Sequence, residues 1–236
     1  MNVSKIYKYF LGALVLASAA ACKKDNYSAP GSFLSGHLIY NSDTIQVERN
    51  QVPFQIYQYG FGQVGPISST FAQDGSFSEV LFNGDYKIII PNGQGPFMWK
   101  QTGHGDPDTV NVTLKGSQTV NLQVTPYYMI RNANISISGG TASATCKVEK
   151  IITDANAKDV ERVSLYINRT QFVSNTDNIA KADVAAADIA DMNNVSLSVA
   201  VPAITNPTQN YVYARIGVKI VGLEDMIFSP LVKISF

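Results

Sequence analysis

The chain has 236 residues, 45% hydrophobic and 15% charged, with 18 basic side chains against 18 acidic ones. That is enough apolar material for a real core, and it leaves no basic surplus to hold a phosphate backbone, which argues against nucleic acid as a partner. Two histidines and two cysteines offer no set of ligands for structural zinc, so neither a metal nor a cofactor is expected.

The chain opens as an address rather than a fold. Lys5 and Lys8 give a positive start, residues 10–17 are apolar and uncharged, and Ala19-Ala20-Ala21 lead into Cys22. Small residues before a cut mark a secretory signal. The cysteine at the cut resembles the lipobox of bacterial lipoproteins, in which the thiol is diacylated and becomes the new N-terminus. The apolar run falls short of the roughly 20 residues that span a bilayer, so membrane attachment is expected through lipid on Cys22. Residues 1–22 are therefore assigned as the lipoprotein signal, and the polar stretch 23–32, with Pro30 and Gly31, as a tether. If Cys22 is acylated, Cys146 has no partner and is expected as a small buried side chain.

From Phe33 onward the pattern is β. Residues 33–40 read as a strand, and residues 53–59 come close to the period-two alternation of a half-buried one. Asp74-Gly75 and Asn83-Gly84 are hairpin signals, each followed by a strand-like run. Residues 91–105 form a long Gly/Pro loop that carries the single tryptophan, Trp99. Residues 109–114 and 119–124 are two further strands. About seven short strands with no helix between them predict a β-sandwich over residues 33–126.

The second half, residues 127–236, predicts another sandwich. Its strands are expected at 129–138, 142–152, 162–168, 195–201, 211–221 and 226–236, with Gly139-Gly140 turning between the first two. Residues 178–192 stand apart, because six alanines give them helix propensity and Asp177 is placed to cap them. At most a short helix is expected there. The fold class is thus all-β, two sandwiches in series.

Several stretches carry a family likeness: Phe82-Asn83-Gly84-Asp85-Tyr86, Gly93-Gln94-Gly95-Pro96-Phe97, Asp108-Thr109-Val110, Val124-Thr125-Pro126-Tyr127-Tyr128-Met129-Ile130 and Tyr213-Ala214-Arg215-Ile216-Gly217. Together they resemble a two-domain lipoprotein family of the Bacteroidetes, of unknown function and encoded in polysaccharide-utilisation loci. The resemblance implies a transthyretin-like, carboxypeptidase-regulatory first domain and an immunoglobulin- or fibronectin-like second one. It also implies an outer-membrane lipoprotein, facing the periplasm or the surface, beside a SusC-like transporter and a SusD-like glycan-binding protein. Asp43-Thr44-Ile45 and Asp108-Thr109-Val110 are similar to the Asp-Thr-aliphatic acceptor of O-glycosylation in that phylum.

Two aromatic sets are candidates for sugar binding, which needs a flat apolar ring face beside hydrogen-bonding groups. Trp99, with Gln94, Gln101 and Asp106, lies in the glycine-rich loop, where loop aromatics also serve to cap a sandwich end. Tyr57 and Tyr59, with Phe61 beyond them, alternate with Phe54 and Ile56 and so fall on the opposite sheet face. That face is either a platform or a surface covered by the neighbouring domain. The acidic set Asp183, Asp188 and Asp191 lacks the glycine and terminal glutamate of a calcium loop and reads as a solvated face. No serine-nucleophile or phosphate-loop motif occurs, and no catalytic residue is assigned. The expectation is a non-enzymatic accessory protein of a glycan-uptake system, binding oligosaccharide or the transporter. The alternative is a spacer or protein-interaction module that binds no glycan.

Overall fold

The computed structural model describes residues 28–60, 63–205 and 207–236. The signal at 1–22 with Cys22, the first half of the tether and Phe61 lie outside the described residues. Residues 31–236 form one compact unit.

Alternation along the chain builds the first sandwich. Its strands are β1 (Ser32–Tyr40), β2 (Asp43–Thr44), β3 (Pro53–Gln58), β4 (Pro66–Thr70), β5 (Ser76–Leu81), β6 (Gly84–Ile89), β7 (Phe97–Met98), β8 (Val110–Leu114), β9 (Gln118–Thr119) and β10 (Leu122–Gln123). One sheet is centred on β1, which pairs antiparallel with β2 and β5 and parallel with β9 and β10. The other runs β4-β3-β6-β8, all antiparallel. Phe54, Phe71 and Phe77 meet between the sheets, with ring centroids 4.6–5.9 Å apart.

The two hairpin signals turn the chain as expected but do not join paired strands. At Asp74-Gly75 the Gly75 amide donates to Ala72 O at 2.9 Å and the Ala72 amide to Ser76 O at 2.8 Å. Yet β4 pairs with β3 while β5 pairs with β1, so this turn carries the chain from one sheet to the other. Asn83-Gly84 carries it back, from β5 to β6.

The second sandwich follows β11 (Thr125–Pro126). It contains β12 (Tyr128–Ser138), β13 (Thr141–Lys150), β14 (Val160–Asn168), β15 (Ala180–Ala185), β16 (Val195–Ala200), β17 (Tyr211–Ile220), β18 (Ile227–Phe228) and β19 (Val232–Ser235). One sheet is β12-β13-β16, the other β15-β14-β17 with β18 and β19 against β17. Gly139 and Gly140 both hold positive φ in the β12–β13 hairpin, the conformation that a two-residue turn demands there. Cys146, on β13, is buried, and burial pushes its thiol up to about 11.

The alanine-rich segment holds no more than the short helix allowed for it, and most of it is strand. Residues 180–185 form an edge strand, paired with β14 from Arg162–Ala185 to Ile167–Ala180, and only Ala186–Asp188 make a single 3-10 turn. Alanine's helix preference amounts to at most about 0.7 kcal/mol per residue against ordinary residues. Pairing along all six residues outweighs it, with Ala180 and Val184 packed against the core. Asp183 therefore belongs to a strand, where it accepts from Ser164 Oγ at 2.6 Å and pairs with Lys181 at 2.9 Å.

One apolar cluster runs through both sandwiches, and polar ties fix the seam. β7 pairs with β11, the Phe228 amide donates to Gln46 O at 3.0 Å, and Arg131 on β12 bridges Asp43 and Glu149. Arg215 of β17, 1% exposed, stacks on Phe228 at 3.8 Å and donates to Val47 O at 2.8 Å. Asp225 accepts from the Gly95 amide at 2.8 Å.

Burial raises the Asp225 pKa; the bond from Gly95 opposes the shift, while Glu224 and Glu48 add to it. A carboxyl raised in the folded state holds its proton more tightly there than in the unfolded chain, so its contribution is full in acid and is lost as pH rises through the folded pKa. Asp225→Asn removes the charge and keeps an oxygen for Gly95. Urea unfolding is expected to show the variant more stable than wild type at neutral pH, with the difference gone below about pH 4, where the unfolded carboxyl is also protonated. A variant less stable at neutral pH would show that the ionised carboxylate is what the seam requires.

Candidate functional site

The β4-β3-β6-β8 sheet turns one face to the core and the other outward. Register places Tyr57, Lys87 and Asn111 side by side across β3, β6 and β8, with Asp85 and Thr113 in the next row. Their inward neighbours Phe54, Ile56, Tyr86, Ile88 and Val112 are buried. Just past β3, the Tyr59 amide donates to Asp85 O at 3.4 Å, which brings its ring over the same face. The result is a shallow pocket of about 450 Å³ lined by Tyr59, Asp85, Lys87, Asn111 and Thr113.

Tyr59 is 48% exposed, among the most exposed large apolar side chains, and the Lys87 ammonium lies 5.0 Å from its ring centroid. Tyr57 is half-buried and donates to Gln55 Oε1 at 2.8 Å, which ties its ring down on the sheet. Thr113 Oγ1 donates to Asp85 at 2.6 Å, fixing that carboxylate. An open aromatic ring ringed by an ammonium, a carboxylate, an amide and a hydroxyl can stack on an apolar face and bond hydroxyls around it. The neighbouring sandwich does not cover Tyr59.

Trp99 is placed differently. Its ring is 5% exposed, and its indole Nε1 donates to Asp108 O at 2.7 Å. Phe97, two residues earlier, is also buried, so the loop aromatics cap the sandwich end. Gln101 is exposed and donates to Asn92 Oδ1 at 3.0 Å. Trp99 and Gln101 share a pocket with each other but not with Tyr59. Gln94 is half-buried and Asp106 is exposed. Thr44 is exposed and Thr109 is half-buried.

Sequence reasoning picked out the tyrosines by alternation. It missed Lys87, Asn111 and Thr113, because cross-strand register is not local information. No group of three His, Cys, Asp or Glu side chains able to hold a metal occurs among the described residues. Glu79 and Asp85, the acidic residues nearest to aromatic strands, each accept from a hydroxyl, of Ser69 and Thr113 respectively.

Comparison with known proteins adds the family. A family profile described as the DUF3823 N-terminal domain, of a protein of unknown function, matches residues 32–125, and one described as the DUF3823 C-terminal domain of unknown function matches residues 128–233. The chain belongs to the DUF3823 family. A DUF3823 protein of Parabacteroides merdae has a crystal structure that is 32% identical, with a TM-score of 0.76 over 88% of this chain and 100% of that one. One from Bacteroides ovatus is 27% identical, with a TM-score of 0.74 over 86% and 98%. A Bacteroides uniformis protein described as a "putative carbohydrate binding protein" is 17% identical, with a TM-score of 0.65 over 88% and 100%, which shows the shared fold. No protein among the curated ones matches.

Proposed function

We propose that this DUF3823 protein binds oligosaccharide on the outer sheet face of its first sandwich, and that it does so as a lipid-anchored accessory of a SusC/SusD-like glycan-uptake system. The observation that carries the binding reading is Tyr59, an open ring set among Lys87, Asp85, Asn111 and Thr113 on a rigid sheet. The description of the B. uniformis relative points the same way. Support for the anchor comes from the residues before Cys22, with residues 23–32 as tether and residues 33–126 and 127–236 as the two domains. The proposal is one of binding and assigns no catalytic residue.

The test is affinity electrophoresis through gels containing soluble plant and host polysaccharides. Wild type should be retarded by at least one of them, and Tyr59→Ala should weaken that retardation about tenfold, a loss of ~1.4 kcal/mol. A half-exposed side chain contributes little to folding, so Tyr59→Ala should keep its stability within about 0.5 kcal/mol. No retardation of wild type on any polysaccharide would favour the spacer or interaction module instead. In the same cells Cys22→Ala should leave the membrane fraction; retention there would remove the lipid anchor from the reading.

A further inference from the structure

A cleft of about 600 Å³ opens where the two sandwiches meet, within the roughly 300–1,000 Å³ range of small-molecule sites. Met98, Trp99 and Val124 from the first sandwich and Ile151 and Ile152 from the second give it an apolar lining. Gln123 and Thr125 on one side, Thr153 and Asn156 on the other, are exposed at its rim. None of these four side chains spends a hydrogen bond on another described residue, so two amides and two hydroxyls are available to a ligand.

The charges nearby are already committed. Lys100 pairs with Asp108 at 3.2 Å and donates to Thr109 O at 2.6 Å, while the Asp154 carboxylate accepts from the Asn156 amide nitrogen of the backbone at 2.8 Å. Lys100 and Asp154 nonetheless line the cleft with one charge of each sign, so it offers no net charge but several hydrogen-bonding groups over an apolar floor. Its walls are also held: the Trp99 indole bonds Asp108 O, the Tyr127 amide bonds Pro96 O at 3.2 Å, and the Ile151 amide bonds Tyr127 O at 3.0 Å. A site built in advance spends little binding energy on ordering its own side chains.

We infer that this cleft is a second saccharide subsite, which takes one or two neutral sugar residues and touches both sandwiches at once. It rests on the reading of the chain as a saccharide binder but not on the sheet face. Two subsites on one rigid unit raise the overall affinity for a long glycan without any new contact at either one.

Trp99 is the one tryptophan of the chain, and it lines this cleft and not the Tyr59 pocket. Its emission therefore reports on this end of the seam and not on the Tyr59 face. Titration with the methyl glycosides of glucose, galactose, mannose and xylose, and with their short β- and α-linked oligomers, should give a saturable change with at least one sugar. The change should persist in Tyr59→Ala. In Gln123→Ala/Asn156→Ala, where both side chains are exposed and the fold is undisturbed, the midpoint should rise about tenfold for two lost hydrogen bonds. Emission that no sugar alters, or a response that the double variant leaves unchanged, overturns the inference. Gel retardation that depends on Tyr59 while Trp99 stays silent removes the cleft and keeps the sheet face; the converse removes the sheet face and keeps the cleft.

Discussion

Arg215→Ala is expected to destabilise the protein by about 2–4 kcal/mol and to lower its melting temperature by roughly 5–15 °C for a unit of this size. The guanidinium lies in the seam, stacked on Phe228 and donating to Val47 O, with a longer contact of 3.4 Å to Gln73 Oε1. Burial pushes its pKa down to about 9, against the attraction of Glu48 and Asp74, so it still carries its charge at neutral pH. Truncation loses a desolvated cation–π contact of about 2 kcal/mol. It also leaves the buried Val47 carbonyl without this donor, at about 1–3 kcal/mol, and opens a void where the stem packed. Part of that loss is returned, because Nε has no partner among the described residues and the buried charge is itself costly.

Arg215→Met separates these effects. It fills the stem's volume and removes both the charge and its desolvation cost, and such replacements of buried ions are often neutral or better. The methionine variant is expected within about 1 kcal/mol of wild type in urea unfolding. Equal losses for alanine and methionine would mean that the charge itself holds the seam. No loss for alanine would mean that Val47 and Phe228 find other partners at no cost.

That seam was not legible in the sequence, although the stretch around Arg215 carried the family likeness. On β17, Tyr213, Arg215 and Gly217 alternate with Ala214, Ile216 and Val218, a pattern that reads as a solvent face against a core face. The first sandwich covers part of that solvent face, and only tertiary structure says so. The same limit explains the two Asx-Gly turns. Local chemistry fixes a turn at residues 74–75 and 83–84, but pairing partners lie on strands far away in sequence.

Where contacts are local, the sequence was sufficient. The β12–β13 hairpin follows from period-two alternation on both sides of Gly139-Gly140, and the outward tyrosines follow from alternation with Phe54 and Ile56. Residues 178–192 keep one short turn of helix, but the strand at 180–185 was not legible, since a weak local preference for helix yields to a full ladder with β14. Trp99 could be placed in a loop but not at a depth, because Asp108 O, its partner, lies nine residues on. Gln123, Thr125, Thr153 and Asn156 gave no signal at all: singly they are ordinary surface residues, and only the docking of two sandwiches gathers them.

Gly75→Ala is expected to cost more than about 3 kcal/mol, enough to threaten a fold of ordinary stability. Two separate effects combine there. Gly75 sits at φ +76°, where an L side chain costs about 1–2 kcal/mol. A Cβ would also stand 2.1 Å from Ile45 O and 3.2 Å from Ile45 C, which are backbone atoms that no rotamer change can clear. Moving them would disturb the Ile45 amide bond to Leu38 O at 2.9 Å and the bond from the Leu38 amide to Gly75 O at 2.9 Å. Leu38, Ile45 and Val47 are all fully buried, so a backbone shift there carries into the core. Gly140→Ala is the control: its φ is +74°, and nothing lies within 4 Å of its added Cβ. It should lose only the conformational part, about 1–2 kcal/mol. Chemical denaturation of the two variants then isolates the close approach at the sheet-crossing turn as the difference between them. Equal losses would mean that the segment carrying Ile45 yields freely, and that the turn at residues 74–75 needs glycine only for its backbone conformation.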